Sequence, residues 1–599
     1  MSYAVTAKYM ATSKSFVANW AQQYKKIKNV DDLPERDSID KVTLNRDLTV
    51  SVAIVVAAVT VTLVLVLGEE ETISFCNGTR IYEKAPEYKI KSGLKSHIEK
   101  LQRHGPPPLE GPKTRATEPS YGWITQRIDH FDPTNLGTWR MRYMNNSEFY
   151  EDGGPMFIFL GGEWEISREY LMTGQMYDMA QEHTGYMFYT EHRYYGESFP
   201  TTDLTIENLQ FQSADQALAD IAYFIEYQKL TIPGMENSKV VVVGGSYSAM
   251  LATWMRIKYP HLVDAALSSS APLRSVADFY EYFEVVGNSL KTVSEECVST
   301  IAEAMTGIDK CFETAEGVAH VSDLLGMENS ISTSEPAKSY FFSALAGPFA
   351  QLVQYASGPD LEDACSLLLS FEGDAFDKFI AFINLSYGNS ALTDYEYYVN
   401  YLRQTNIIKG SIARQWYYQT CTEYGFYQTS ASPDQPFKNF ELELFLKSCE
   451  DVYGISEEVL NTGIERSNLF FGSVSPEVTK VVSTHGTVDP WHPLGVLEDL
   501  NPEAPVFVIQ GASHCADLSS LRDADSDEMK LAKTKLDQDY TALHHATNTI
   551  DKYCIDCEEM YTNLVCRSGK VKTSTEATFH MEHLISSRSV GNEKIEESF

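Results

Sequence analysis

The stretch Val241–Leu251, VVVGGSYSAML, presents a serine in a setting where it can do chemistry. An apolar, β-branched run ends in Gly244-Gly245, and Ser246-Tyr247-Ser248 then opens a run of small and helix-forming residues. That order predicts a nucleophile elbow, in which a strand turns sharply into a helix and holds a serine hydroxyl exposed at the sheet edge. The usual spacing is G-x-S-x-G; here Ser248 stands where the last glycine would be. A serine hydroxyl is a weak nucleophile until a neighbouring base takes its proton, and the base needs an acid to fix its tautomer. Two later segments offer these partners in the order acid, then base. Asp489 lies in Thr484-His-Gly-Thr-Val-Asp-Pro-Trp491, after one predicted strand, and His514 in Gln510-Gly-Ala-Ser-His514, after the next. Asp489 would accept from one ring nitrogen of His514, and the other nitrogen would take the proton of Ser246. Acyl transfer also needs donors for the developing oxyanion. The backbone N–H of Tyr247 and that of Gly162, in Gly161-Gly162-Glu163, are the candidates.

Other reactive side chains fit this chemistry less well. His485 and His492 flank Asp489 on what reads as the acid's own loop, whereas a base should approach from the following one. His192, in Glu191-His-Arg-Tyr-Tyr-Gly196, reads as structural. Cys515 adjoins His514, but sequence-adjacent side chains point apart and no elbow presents it, so a disulfide or a buried thiol is expected. Cys554-Ile-Asp-Cys557 has no second pair to complete a zinc site, and neither a metal nor a cofactor is expected.

The elements that must hold these residues alternate in type. Met156–Leu160 and Met187–Thr190 read as strands, Ser213–Leu230 as a helix, Lys239–Val243 as a strand, Tyr247–Tyr259 as a helix and Ala265–Ser268 as a strand. Such alternation predicts an α/β architecture, a parallel sheet covered by helices on both faces. Between 278 and 467 the helical pattern dominates, which reads as an insertion. Thr479–Ser483 and Pro505–Ile509 then return to strand. The expected layout is a first α/β part over 119–277, a helical cap over 278–467, a second α/β part over 468–545, and a cysteine-containing extension over 546–599.

The 599-residue chain is 43% hydrophobic and carries a net charge of -35, which argues against nucleic acid as a partner. Residues 48–67 are 20 residues without a charge, enough to span roughly 30 Å as a helix, so a single transmembrane segment is expected. Lys25, Lys26, Lys28, Arg36, Lys41 and Arg46 precede it, and Glu69, Glu70 and Glu71 follow. The positive flank predicts a cytoplasmic tail over 1–47 and a type II topology, the remainder facing the lumen or exterior. The sequons at Asn77, Asn145 and Asn384 and all ten cysteines lie past the span, in keeping with glycosylation and disulfides there. Residues 69–118 read as a stalk, ending in a proline-rich break at Gly105–Pro112.

A wider set of motifs fits one family. Gln126-Arg-Ile-Asp-His-Phe-Asp-Pro133, Gly161-Gly-Glu163, Glu191-His-Arg-Tyr-Tyr-Gly-Glu-Ser-Phe-Pro200, Gly244-Gly-Ser-Tyr247, Arg256-Ile-Lys-Tyr-Pro-His261, Arg414–Phe426, Val488-Asp-Pro-Trp491 and Gly511-Ala-Ser-His514 together resemble the lysosomal Pro-X carboxypeptidase family of serine peptidases. The similarity runs from about 120 to 545. It implies an α/β-hydrolase fold with a helical cap, hydrolysis of short peptides from an end, often beside proline, and Ser246, Asp489 and His514 at the triad positions. An endolysosomal or cell-surface location and a homodimer are carried as expectations. Three departures stand out: Ser248-Ala249 in place of two glycines, Trp164-Glu165 in the Gly161-Gly162-Glu163 loop where the family has Gly-Pro, and an apparent anchor instead of a cleavable leader. The first two motivate an alternative, a catalytically silent hydrolase ectodomain acting as an adhesion or receptor module.

Overall fold

The computed structural model describes residues 117–327, 331–387 and 394–534, together with Leu109 and the backbone of two short strands before them. The chain divides into two compact units, Met1–Tyr88 and Lys89–Phe599. In the first, Thr72–Phe75 and Gly78–Ile81 pair antiparallel, inside the range read as a stalk. The apolar segment 48–67, Asn77 and the extension 546–599 lie outside the described residues. Among the described residues no helix is long and apolar enough to cross a membrane.

The second unit is built on an eight-stranded sheet. Its strands are β1 (Ser120–Arg127), β2 (Thr138–Asn146), β3 (Met156–Leu160), β4 (Tyr186–Thr190), β5 (Val240–Gly245), β6 (Ala265–Ser269), β7 (Val481–Gly486) and β8 (Val506–Ile509). They lie in the order β1-β2-β4-β3-β5-β6-β7-β8, and only β2 runs against its neighbours. That order and polarity are those of an α/β-hydrolase sheet. The C-terminal ends of β3 to β8 therefore share one edge, where sites form in such sheets. Every residue of β3, β5 and β6 is buried, as expected of parallel strands covered on both faces. Helices α1 (Gln175–Glu182), α2 (Ala214–Thr231) and α3 (Tyr247–Lys258) cross between them. Ser213 caps α2 by accepting the N–H of Gln216.

Two buried ion pairs fix the loop after β4. Glu191 accepts from Arg142 of β2 at 2.6 and 3.1 Å and from the hydroxyl of Ser198 at 2.8 Å. Arg193, fully buried, makes a two-pronged pair with Asp220 of α2 at 2.7 and 2.8 Å and donates to the carbonyls of Ile128 and Phe211. Removing one member of such a pair would strand a buried charge, so this loop is held stiffly.

From Glu281 to Phe471 most of the described residues are helical, and this segment is referred to below as the cap. Its segments used below are α4 (Glu281–Val293), α5 (Glu335–Gln354), α6 (Ala413–Gln419), a π-helical turn over Thr420–Tyr424, and α7 (Leu442–Tyr453). A short parallel pair, Val276–Asp278 with Gly425–Tyr427, joins the cap's entry to its middle. Disulfides link Cys297 to Cys365 and Cys421 to Cys449, Cys311 is also disulfide-bonded, and Cys515 is a buried free thiol.

Candidate active site

Ser246 sits between β5 and α3 with φ 59° and ψ -130°, a conformation a non-glycine residue holds only when its surroundings enforce it. Its N–H donates to the carbonyl of Ser269 on β6. Gly244 cannot carry a side chain, because a Cβ there would come within 2.1 Å of the Ser248 carbonyl oxygen. Ser248 fills its position with a specific contact. Its hydroxyl donates to the carbonyl of Gly245 and accepts the N–H of the same residue, both at 3.0 Å. The side chain is wholly buried and closes the turn on itself.

Asp489 and His514 meet at the same sheet edge, on the loops after β7 and β8. The Nδ1–H of His514 donates to Asp489 Oδ1 at 2.8 Å, with both side chains fully buried. The two loops are sewn together. Val488 N–H donates to the Ala512 carbonyl, Gly511 N–H donates to the Thr487 hydroxyl, and a Cβ on Gly486 would meet Ala512 O at 2.1 Å. Burial works to lower the His514 pKa, but the Asp489 carboxylate and the hydrogen bond to it outweigh burial and hold it well above 6.5. Burial likewise works to raise Asp489, and His514 beside it, with the Trp491 N–H, brings it below the usual carboxylate value. Nε2 of His514 has no hydrogen-bond partner among the described residues. Bonds to such a base are often long in an unliganded site.

One of the two rival bases is placed differently from expectation. The strand that was expected over Thr479–Ser483 runs from Val481 to Gly486, so His485 belongs to β7 itself and not to the loop. Burial pushes its pKa down to about 4. His492 is on the loop, and its Nδ1–H donates to the Asp489 carbonyl at 2.7 Å. The N–H of Cys515 donates to the Ser270 hydroxyl, and its thiol faces the Ser269 carbonyl, the group that also accepts the Ser246 N–H.

The N–H of Tyr247 belongs to the first residue of α3, so no intrahelical acceptor claims it. Gly161 and Gly162 are buried at the end of β3, followed by Glu163. Glu163 keeps some exposure as a residue, but its Oε2 is buried without a partner among the described residues. Burial raises its pKa to about 7, against a pull downward from His514 nearby. Asn145 lies part-buried in β2 and accepts from the Tyr186 hydroxyl, whereas Asn384 is exposed in the cap. Among the described residues no cluster of three or more His, Cys, Asp or Glu side chains forms a metal site.

Several residues at the site carry no local sequence signal. Gln354, the last residue of α5, accepts the indole N–H of Trp491 at 3.0 Å and the hydroxyl of Tyr282 at 2.8 Å through one oxygen. Its backbone carbonyl accepts the N–H of His514 at 2.9 Å. Tyr355 follows, its ring 6.0 Å from that of His514 at a steep angle. Asp517 pins the His514 loop from the sheet side, accepting from Ser269 at 2.5 Å and Thr484 at 2.7 Å. A cavity of about 1000 Å³ between Arg256, residues 474–479 and residues 495–501 includes none of these groups.

A sequence model described as serine carboxypeptidase S28 matches residues 126–536, the span that holds the elbow and both loops. The chain belongs to the serine carboxypeptidase S28 family. As a member of that family it is a serine-type peptidase. The thymus-specific serine protease of Mus musculus is 32% identical over 480 residues, covering 74% of this chain and 92% of the relative. The human protein of the same name is 31% identical over 477 residues, covering 74% and 91%. The human lysosomal Pro-X carboxypeptidase is 27% identical over 443 residues, covering 69% and 86%. The family match runs from the end of β1 through the cap and past β8.

Proposed function

We propose that Ser246, Asp489 and His514 act as nucleophile, acid and base in an exopeptidase that trims short peptides through an acyl-enzyme, with a preference for bonds beside proline. The observation that carries this reading is the buried Asp489–His514 pair at 2.8 Å on two interlocked loops, at the same sheet edge as the strained elbow of Ser246. His514 takes the Ser246 proton as the hydroxyl attacks the scissile carbonyl, and Asp489 stabilises the imidazolium. The N–H groups of Tyr247 and Gly162 receive the oxyanion. His514 then protonates the leaving amine, and water enters by the reverse route. The proline preference is supported by the name of one set of relatives, the Pro-X carboxypeptidases.

Ser248 gives little support to a silent ectodomain, because its hydroxyl bridges both backbone groups of Gly245 and leaves the elbow intact. The apolar segment 48–67 would anchor the chain as a type II membrane protein. The disulfides fit a lumenal or extracellular location, in which exposed Asn384 would accept a glycan.

The test is labelling of the purified full-length chain with a fluorophosphonate between about pH 4 and 8, the range over which a histidine base titrates. Wild type labels and Ser246→Ala does not. Wild type inert at every pH would refute the assignment. Hydrolysis of Pro-containing peptides with free or blocked termini then reads which end is trimmed.

A further inference from the structure

The Glu191-His192-Arg193 loop does more than staple the sheet. His192 is buried, and its Nδ1 lies 2.7 Å from the Arg193 carbonyl, which can only accept. Nδ1 therefore carries the proton. Burial holds the His192 pKa down at about 4, so the ring is neutral and Nε2 is a bare acceptor. At 3.0 Å from Nε2 stands the hydroxyl of Tyr247, which must be the donor.

The same hydroxyl is met from the opposite side by the cap. Gln419, the last residue of α6 and fully buried, donates through Nε2 to the Tyr247 oxygen at 3.1 Å and to Glu423 at 3.3 Å. Its carbonyl oxygen accepts from Tyr195 at 2.8 Å and from Gln212 at 2.9 Å, which fixes which way the amide faces. The π-helical turn over Thr420–Tyr424 brings Glu423 and Tyr424 to the same point, and the Tyr424 hydroxyl reaches that of Tyr247 at 3.5 Å. The chain of donors runs one way: Gln419 N–H to Tyr247 O–H to His192 Nε2.

Tyr247 directly follows Ser246, whose positive φ is a strained conformation that neighbouring structure must hold in place. A tyrosine clamped at its tip from two elements cannot rotate, and its backbone N–H cannot drift. We propose that His192 and Gln419 are positioning residues for acyl transfer, gripping the Tyr247 hydroxyl from the sheet loop and from the cap so that the Tyr247 N–H stays aimed at the developing oxyanion. The proposal rests on Ser246 being the nucleophile. It also makes seating of the cap a condition for a competent elbow, because one of the two grips belongs to the cap.

The test uses full-length protein carrying Tyr247→Phe, Gln419→Leu, or both. Tyr247→Phe removes only the hydroxyl and keeps the ring packed against Trp416 and His192. It is expected to lower kcat and kcat/KM together by about 10-fold, a fraction of the loss that follows removal of a whole oxyanion donor, with KM little changed and cooperative unfolding retained. The fluorophosphonate labelling rate falls in parallel. The double variant is expected to have the kcat of Tyr247→Phe alone, since Gln419 acts through the hydroxyl that this substitution already removes. A labelled wild type whose Tyr247→Phe variant keeps its kcat, or raises only KM, overturns the proposal while leaving the peptidase reading intact. Additive losses in the double variant also overturn it. An unlabelled wild type overturns both.

Discussion

The sheet and the cap serve the same site by different means. The sheet contributes its groups through backbone geometry. A strained turn offers Ser246, and two loops tied by main-chain hydrogen bonds offer Asp489 and His514. The cap offers side-chain amides and phenols that take hold of what the sheet presents. Gln354 touches the loops of both Asp489 and His514, and Gln419 touches the residue after Ser246. The difference separates two demands on an enzyme: having the reacting groups, and keeping them still. Parallel strands ending at one edge bring distant segments together cheaply, but loops are the softest part of a fold. A second layer that bonds to those loops supplies the stiffness that a productive geometry needs.

Substitutions on the two sides should therefore fail differently, and the largest failure belongs to the sheet. Asp489→Asn should lower kcat by about 10⁴-fold, the scale associated with loss of the carboxylate behind such a histidine, with cooperative unfolding retained. Peptide hydrolysis and thermal melts would read both. A loss below about 100-fold would mean that His514 is not oriented by Asp489, since effects of that smaller size are what mere misplacement produces. Gln354→Leu is the corresponding cut in the cap. It leaves the Trp491 indole N–H and the Tyr282 hydroxyl without their shared acceptor. The expected result is a kcat loss of about 10–100-fold from displacement of the two loops, and a stability loss of roughly 1–3 kcal/mol. Unchanged kcat would erase the comparison, because the cap would then hold nothing that matters.

A smaller effect concerns pH. Burial raises Glu423 of the π-helical turn to about 7, against the Ala214 and Gln419 N–H groups that pull the other way. The unfolded chain would ionise this group near 4.5. Its contribution to stability is therefore complete below about 4.5 and is lost as pH rises through about 7, a change on the order of 3 kcal/mol. Glu423→Gln removes that slope. Its melting temperature should match wild type near pH 4 and exceed it near pH 8, as followed by calorimetry. The reverse order at pH 8 would show the group ionised and paired in the native state. The smallest effect is expected at Ser248→Ala, which leaves the Gly245 backbone groups without their partner and should cost about 1–2 kcal/mol with kcat changed less than about threefold. A severe loss of activity there would transfer the elbow's integrity from backbone geometry to a single hydroxyl.

The same contrast governs what could be read from the sequence. β3, β4, β5, β6 and the elbow announce themselves because buried parallel strands are short apolar runs and a tight turn needs small residues at fixed spacing. β1 and β2 were missed. Only two of the eight residues of β1 are buried, and its alternation is broken by Gln126, which points inward to the Asp220 carbonyl, and by the exposed aromatics Tyr121 and Trp123. The parallel pair at Val276–Asp278 and Gly425–Tyr427 is three residues a side, too short for any period to show. The proposed triad of Ser246, Asp489 and His514 stands out in the sequence because each residue follows a strand. Gln354 and Gln419 do not, since a glutamine at a helix end has no local mark that says which distant hydroxyl it will meet. His192 was read as structural, and the hydrogen bond from Tyr247 across 55 residues is what gives it a further part. The Gly161-Gly162-Glu163 loop was read for its N–H groups, and the buried carboxyl of Glu163 was overlooked.

The Cys421–Cys449 bond joins the π-helical turn to α7, closing a span of 28 residues. It lies two residues from both Gln419 and Glu423, and the sulfur of Cys449 is met by the Tyr427 hydroxyl at 2.9 Å. In the chain-entropy model a closure of that length stabilises a fold by about 3.5 kcal/mol. While the nascent chain is still among reduced thiols, the turn that bears the cap's grip on the elbow lacks its fastening. The proposed grip of the cap on the elbow thus depends on a bond that reducing conditions would open.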